Sequence, residues 1–221
     1  MPGIFHEFVA GLSAEAETRY QIVGGDNTQP LHLPQSTEAW CGPWSLLQAV
    51  LLICGWRRST VTDIRTRSEP MRSFWRLVNE LYADGTSEAD LAELAALLAP
   101  AIELQVVETA SPRRVARLVA EAVDSGQVPL VRYTTARFSH WSMASGVERT
   151  ASGTVRALLL LDTSLAGPWA VPYNTRLELQ CRPGSGARYP LLARSIDGGL
   201  WRTRLNSVCI VKRGTANGGL R

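Results

Sequence analysis

The sequence predicts a single α+β domain with a short arm at its N-terminus. Helical periodicity dominates the chain up to Ser125, and short strand-type runs separated by Gly, Ser, Thr and Pro dominate after Gly126. Alternating strand and helix units, which would indicate a doubly wound sheet, are not part of the pattern. We therefore expect residues 1–33 to form an arm packed on the domain and residues 34–221 to form the domain itself.

The first predicted elements are a strand in the arm and a buried helix. Tyr20–Val23 has a strand pattern, and Gly24–Asn27 is a turn cluster. Residues 40–54 are apolar on nearly every side, which predicts a helix that is buried all round. Pro43 suits the first turn of this helix, and Gly55 suits the position after its last turn.

The middle of the chain predicts helices around one strand. An apolar stripe from Phe74 to Leu81 and a capped segment from Thr86 to Leu98 indicate two helices. Glu103–Glu108 indicates a strand, and a further helix runs from Ser111 to Asp124. The rest of the chain predicts five strands: Val128–Tyr133, Trp141–Val147, Val155–Leu161, Leu177–Cys181 and Val208–Val211.

Charge and cysteine content exclude several classes of protein. The 22 Arg and one Lys are scattered among 20 acidic residues, and the net charge is only +3, so a dedicated nucleic-acid surface is not expected. The excess of Arg over Lys has two interpretations, a GC-rich genome or a shortage of ubiquitin-acceptor amines in a protein that works inside another cell. The four cysteines have neither disulfide-scaffold nor zinc-site spacing, so we expect no metal or other cofactor.

The sequence also predicts no targeting or membrane segment. Met1–Glu7 lacks the basic and long apolar regions of a signal peptide. The longest apolar run, Leu46–Gly55, is too short to span a bilayer. We therefore expect a cytoplasmic protein, or one secreted or translocated without a cleaved signal peptide, and no membrane partner.

Cys41 is the candidate nucleophile. It begins the buried helix, where unpaired N–H groups and the positive end of the helix dipole favour a thiolate. Gly42 allows close approach, and its N–H can donate to an oxyanion. The side-chain amide of Gln35, six residues before Cys41, can supply a second donor. The alternative interpretation is that Cys41 is only a small buried residue.

His140 and Asp162 are the candidate base and its orienting carboxylate. His140 stands at the start of a strand, where it can face the N-terminus of a helix. Asp162 ends the most apolar strand, where a carboxylate can fix the imidazole tautomer, or alternatively cap the next turn. His6 falls in the N-terminal arm and His32 lies between leucines in a loop, and we expect each to be structural or solvated.

The order of these residues resembles the papain-like cysteine peptidases, and most closely the branch of bacteriocin-leader peptidases. In that branch a Gln stands six residues before a Cys-Gly helix start, and a His-bearing strand precedes an apolar strand that ends in Asp. The matching motifs here are Gln35, Cys41-Gly42-Pro43, His140-Trp141 and Asp162, within about residues 33–165. Asp162-Thr163 departs from the Asp-Pro frequent in the family.

The resemblance implies a papain-like α+β fold, in which the nucleophile helix packs against an antiparallel sheet that carries His140 and Asp162. It also implies a thiol peptidase that cleaves a peptide or isopeptide bond through a thioester at Cys41. His140 would act as base and then acid, Asp162 would orient it, and Gln35 would donate to the oxyanion.

The expected substrate is a protein or peptide, such as a host or target-cell protein. Because no transporter segment accompanies the motifs, the expected role is that of a bacterial effector or toxin-type protease. The sequence leaves two alternatives open. One is a papain-like transglutaminase, deamidase or amidase, and the other is a catalytically silent papain-like module that binds a partner.

Overall fold

The computed structural model of the protein describes residues 3–10, 12–15, 21–24, 31–35, 38–62, 68–81, 85–108, 111–168, 171–179 and 188–215. The helices are α1 (Cys41–Cys54), α2 (Arg58–Thr62), α3 (Glu69–Glu80), α4 (Glu88–Leu97) and α5 (Pro112–Asp124). The strands are β1 (Ile4–Phe8), β2 (Leu12–Glu15), β3 (Gln21–Gly24), β4 (Ile102–Glu108), β5 (Val128–Thr134), β6 (Ser139–Thr150), β7 (Val155–Leu161), β8 (Thr175–Glu178), β9 (Leu191–Ser195) and β10 (Leu200–Arg213).

Six strands close into an antiparallel barrel. Around the ring the order is β6, β5, β10, β9, β8 and β7, and β7 pairs again with β6. Two further strands extend this sheet: β1 pairs with β6, and β4 pairs with the second half of β10. One edge of β10 serves both β9 and β4, because Leu200–Thr203 pairs with β9 and Ser207–Arg213 pairs with β4. Strands β2 and β3 form a separate hairpin.

The predicted papain-like α+β fold, a helical half packed on a sheet, is wrong, because the sheet closes on itself. Strands β8 and β9 bridge β7 to β10 and complete the ring. Leu158, Leu177 and Ala193 follow one another across these strands, and all three are fully buried. Ring closure therefore buries apolar side chains that an open sheet would leave at its edge.

Several predicted segments are confirmed, and others were missed. The buried helix is α1, the strand in the middle of the chain is β4, and the helix after it is α5. Strands β1, β2, β9 and the first half of β10 were not predicted. Most of the Gly24–Asn27 turn and Cys181 lie outside the described residues.

Helix α1 lies against the sheet and positions the candidate nucleophile. It contacts β6, β10 and β5, and it also contacts α4. Gly55 ends the helix in the left-handed conformation, φ 63°, which glycine adopts without a steric penalty. Among the described helices, none is both long and apolar enough to cross a membrane.

Candidate active site

Cys41 occupies a gap that the strand register leaves at the edge of β6. Pairing of β7 with β6 stops at Leu161, opposite Met143, so this edge of β6 carries no β7 partner before Met143. The start of α1 lies there, and the Trp141 N–H points at Cys41 Sγ at 3.5 Å. Cys41 is the first residue of α1 and is only 5% exposed.

His140 of β6 and Asp162, which directly follows β7, lie at the same gap. His140 Nε2 is 2.8 Å from Asp162 Oδ1, and the two residues are 6% and 0% exposed. The His140 imidazole also lies near enough to the Cys41 side chain to lower the pKa of the thiol through hydrogen bonding and charge. Because Nε2 faces Asp162, Nδ1 is the ring nitrogen left for the sulfur. The structure thus brings three of the four predicted site residues into one chain of contacts.

The electrostatics favour a charged Cys–His pair. Burial opposes ionisation of Cys41, but the His140 hydrogen bond and charge and the Trp141 N–H together hold the pKa of the thiol below its ordinary value. Burial likewise opposes a charged His140, yet Asp162 and Cys41 raise the pKa of His140 to about 10. Both shifts favour a thiolate facing an imidazolium over the neutral thiol and imidazole.

Asp162 is held ionised by a set of donors that the sequence did not single out. The Tyr133 hydroxyl donates to Oδ2 at 2.7 Å, and the Ser164 N–H and hydroxyl donate to Oδ1 at 2.8 and 2.6 Å. Burial opposes the charge of Asp162, but His140, Ser164 and Tyr133 lower the pKa of this carboxyl to about 2. The carboxylate is thus fixed in both orientation and charge.

The backbone of Asp162 is anchored as well. Asn174 accepts from the Asp162 N–H through Oδ1 at 2.7 Å and donates through Nδ2 to the Asp162 carbonyl at 2.7 Å. His32 Nε2 lies 3.1 Å from the same carbonyl. Burial lowers the pKa of His32, which favours a neutral ring that donates to this carbonyl. The expectation of a structural His32 is therefore confirmed, whereas Asn174 had no sequence signal.

Gln35 lies beside the residue that follows Asp162. Its N–H donates to the Thr163 carbonyl at 2.9 Å, and the Thr163 hydroxyl donates to Gln35 Oε1 at 2.6 Å. Because the amide oxygen is engaged by Thr163, the amide nitrogen is turned away from Thr163 and keeps its donor capacity. Thr163 itself is buried.

The loop before α4 closes the other side of the helix start. The Trp141 indole N–H donates to the Thr86 carbonyl at 2.8 Å. A Cβ at position 42 would lie 2.8 Å from Thr86 Cβ, so only glycine fits next to Cys41. Phe138, 47% exposed, lies edge-on to the His140 ring with centroids 6.2 Å apart. The two sides of the Cys–His pair thus have different surroundings, a packed loop and an exposed aromatic ring.

The remaining cysteines lack this environment. Cys54 ends α1, and burial raises the pKa of its thiol. Burial also raises the pKa of Cys209 to about 12. Among the three cysteines that the structure describes, only Cys41 has a lowered pKa. Within the described ranges, no His, Cys, Asp and Glu residues group as a metal ion would require.

The site belongs to the class of buried Cys–His–carboxylate arrangements. No protein-family model matches the chain, and no curated protein matches it.

Proposed function

We propose that this protein is a cysteine peptidase that cleaves a peptide or isopeptide bond of a protein or peptide substrate. The observation that carries the proposal is the chain of contacts from Cys41 through His140 to Asp162. A buried thiol of lowered pKa beside a carboxylate-bound imidazole is the arrangement that nucleophilic catalysis by cysteine requires.

In the acylation step, the Cys41 thiolate attacks the carbonyl carbon and forms a C–S bond, and the carbonyl oxygen takes up the negative charge. The Gly42 N–H and the Gln35 amide donate to that oxyanion. The His140 imidazolium gives its Nδ1 proton to the amine nitrogen, and the C–N bond breaks. The products of this step are a thioester on Cys41, a free amine and a neutral His140.

In the second step, His140 takes a proton from water as the water oxygen attacks the thioester carbon. Collapse of the tetrahedral intermediate breaks the C–S bond and releases a carboxylic acid, and the Cys41 thiolate and the His140 imidazolium are restored. Asp162 stays ionised throughout and holds the His140 ring in place. No cofactor is needed by this sequence of steps.

Thiol labelling tests the nucleophile. Iodoacetamide at limiting concentration is expected to alkylate Cys41 far faster than Cys54, Cys181 or Cys209, which serve as internal controls, as read by peptide mass spectrometry. The preference is expected to fall in His140→Ala. Equal labelling of all four cysteines would instead favour a catalytically silent binding module.

Proteome digestion tests the reaction. Lysate peptides treated with the wild-type protein are expected to show new termini that the Cys41→Ala protein does not produce. Conversion of Gln to Glu without new termini would identify a deamidase, and new Gln–amine cross-links would identify a transglutaminase; either result would contradict peptidase activity.

A further inference from the structure

Three exposed arginines on β9 and β10 have no acidic partner among the described residues: Arg194, Arg202 and Arg204. Several other arginines of the described ranges pair with carboxylates, as Arg132 does with Glu88 and Arg176 with Glu148. The basic residues that are scattered along the sequence thus include a group whose charge is left uncompensated.

The strand register places these three side chains on one face. Arg194 pairs with Leu200, and Arg202 and Arg204 follow Leu200 at alternate positions of β10. Between these residues Thr203 is fully buried and Trp201 is half-buried, so the arginines and Leu200, which is 56% exposed, point outward together. We call these four residues, Arg194, Leu200, Arg202 and Arg204, the arginine row.

Neighbouring charges in the arginine row repel one another. Side chains two residues apart on a strand, or diagonal across a strand pair, lie roughly 7 Å apart, which is close enough for like charges to destabilise the sheet. A ligand with negative charges would relieve that repulsion. Guanidinium groups bind carboxylates through two parallel hydrogen bonds, and Leu200 offers an apolar contact between them.

The arginine row lies two strands away from His140, on the other face of the sheet. Arg204, Thr134 and Ser139 share one face, whereas Leu205, Tyr133 and His140 share the buried one. Arg204 pairs with Thr134 of β5, and Thr134 pairs with Ser139, the residue before His140. Two strand spacings separate β10 from β6, which is about 10 Å. Because Thr134 and Ser139 flank the turn between β5 and β6, an extended segment of about six residues passes around that turn from Arg204 to the face of His140.

From this placement, and on the basis of the cysteine peptidase function proposed above, we propose that the arginine row binds an acidic segment of the polypeptide substrate and directs the adjoining peptide bond to Cys41. A nucleic acid is the less favoured ligand, because it offers Cys41 no acyl carbon and because the row has no aromatic side chain on which a base could stack.

Binding of a defined polyanion tests the arginine row. Fluorescein-labelled poly-L-glutamate is titrated with the full-length Cys41→Ala protein at low ionic strength, and anisotropy is recorded. Changing Arg194, Arg202 and Arg204 together to Gln is expected to weaken binding of poly-L-glutamate by about tenfold or more. Added salt is expected to weaken binding of poly-L-glutamate by the protein with an unsubstituted row. The matched control changes three exposed arginines of α3 and α5, Arg76, Arg113 and Arg114, to Gln, and it is expected to bind nearly as before.

Three results would overturn the proposal: no binding of poly-L-glutamate, equal losses in both triple variants, or tighter binding of an oligothymidylate of matched charge. Iodoacetamide labelling of Cys41, with the triple change in the wild-type background, separates this proposal from the catalytic one. If Cys41 is labelled selectively but the triple Arg→Gln variant binds poly-L-glutamate as well as the unsubstituted row does, the proposal for the arginine row alone is refuted. Loss of labelling selectivity in the wild-type protein would refute the catalytic proposal alone.

Discussion

At the scale of single residues, the orientation of the Gln35 amide depends on one hydroxyl. Thr163→Val keeps the shape of the side chain but removes the hydrogen bond to Gln35 Oε1. Loss of a whole oxyanion donor costs about 100-fold or more in kcat, so loss of its orientation is expected to lower kcat by about tenfold. The measurement is kcat and KM on a peptide cleaved by the wild-type protein.

The control for Thr163 uses the conservative variant and a reaction without an oxyanion. Thr163→Ser retains the hydroxyl and is expected to restore kcat. Alkylation of Cys41 by iodoacetamide involves no acyl carbon, so its rate is expected to stay the same in Thr163→Val. A parallel loss of alkylation would show that Thr163 acts on the thiol rather than on Gln35.

The ionisation state of Cys41 leads to a second residue-scale prediction. Because His140 holds the pKa of Cys41 below its ordinary value, the thiolate persists as the pH falls, and alkylation is expected to remain fast at pH values where a free cysteine is protonated. The alkylation rate is measured against pH. In His140→Gln the midpoint is expected to move to higher pH, and an unchanged midpoint would contradict the ion pair.

The sequence indicated the three residues of the candidate site but not the groups that hold them. Cys41, His140 and Asp162 could be predicted because a helix start and two strand ends are visible in the apolar pattern. Tyr133 and Asn174 could not, because each becomes a partner of Asp162 only through strand register and a loop that folds back. A single Tyr or Asn in a sequence carries no sign of such a contact.

At the scale of elements, the approach of α1 to the loop before α4 depends on glycine. Gly42→Ala would place a Cβ 2.8 Å from Thr86 Cβ, so the loop or the helix start is expected to shift. Overpacking of this kind costs about 1–3 kcal/mol in the free energy of unfolding. Denaturant unfolding is expected to show the lower free energy of unfolding. The rate of Cys41 alkylation is expected to fall, because Cys41 lies at the shifted helix start.

A second-site change provides the control for Gly42→Ala. Thr86→Gly removes the atoms that the new methyl group meets and leaves the Thr86 carbonyl that accepts from Trp141. The double variant is therefore expected to recover alkylation relative to Gly42→Ala. No recovery would mean that the cost of Gly42→Ala arises elsewhere.

Helices and strands could be predicted where the signal lies within their own sequence, and they were missed where it depends on pairing with another segment. Helix α5 has caps and an amphipathic stripe that a sequence displays directly. The first half of β10 alternates exposed Leu and Arg with buried Thr and Leu, and its pairing with β9 is set by the turn between them. Short polar and apolar alternations of this kind are hard to separate from a loop in a single sequence.

At the scale of the whole molecule, the buried Asp162 and His140 couple stability to pH. Asp162 has a pKa of about 2 against an ordinary 3.8, so its contribution is present above pH 3.8 and is lost as the pH falls through about 2. His140 has a pKa of about 10 against an ordinary 6.5, so its contribution is complete below pH 6.5 and is lost as the pH rises through about 10.

Denaturant unfolding across this pH range tests the coupling. The free energy of unfolding is expected to fall by about 2 kcal/mol at the acid end from Asp162 alone. Tyr133→Phe removes a donor to Asp162. In this variant the acid fall in the free energy of unfolding is expected to begin at a higher pH than in the wild-type protein. The alkaline fall is expected at the same pH in both proteins. A flat profile would contradict the charged pair.

The overall topology was beyond the sequence because ring closure is a property of pairing order. The strands of the second half could be predicted one by one, yet nothing in a run such as Val155–Leu161 states that β8 and β9 will join it to β10. The same runs would fit an open sheet. The closed sheet results from the pairing of β8 with β7 and of β9 with β10, which only the folded molecule displays.

Closure of the barrel also determines where the molecule is exposed to self-association. A ring has no ends, so among the described strands of the main sheet only β1 and β4 have one whole edge without a strand partner. β4 protects its edge with Glu103 and Gln105, whereas β1 carries Ile4 and Phe5, which are 52% and 58% exposed. The colloidal stability of the protein in concentrated solution therefore depends on the short strand β1 rather than on the barrel.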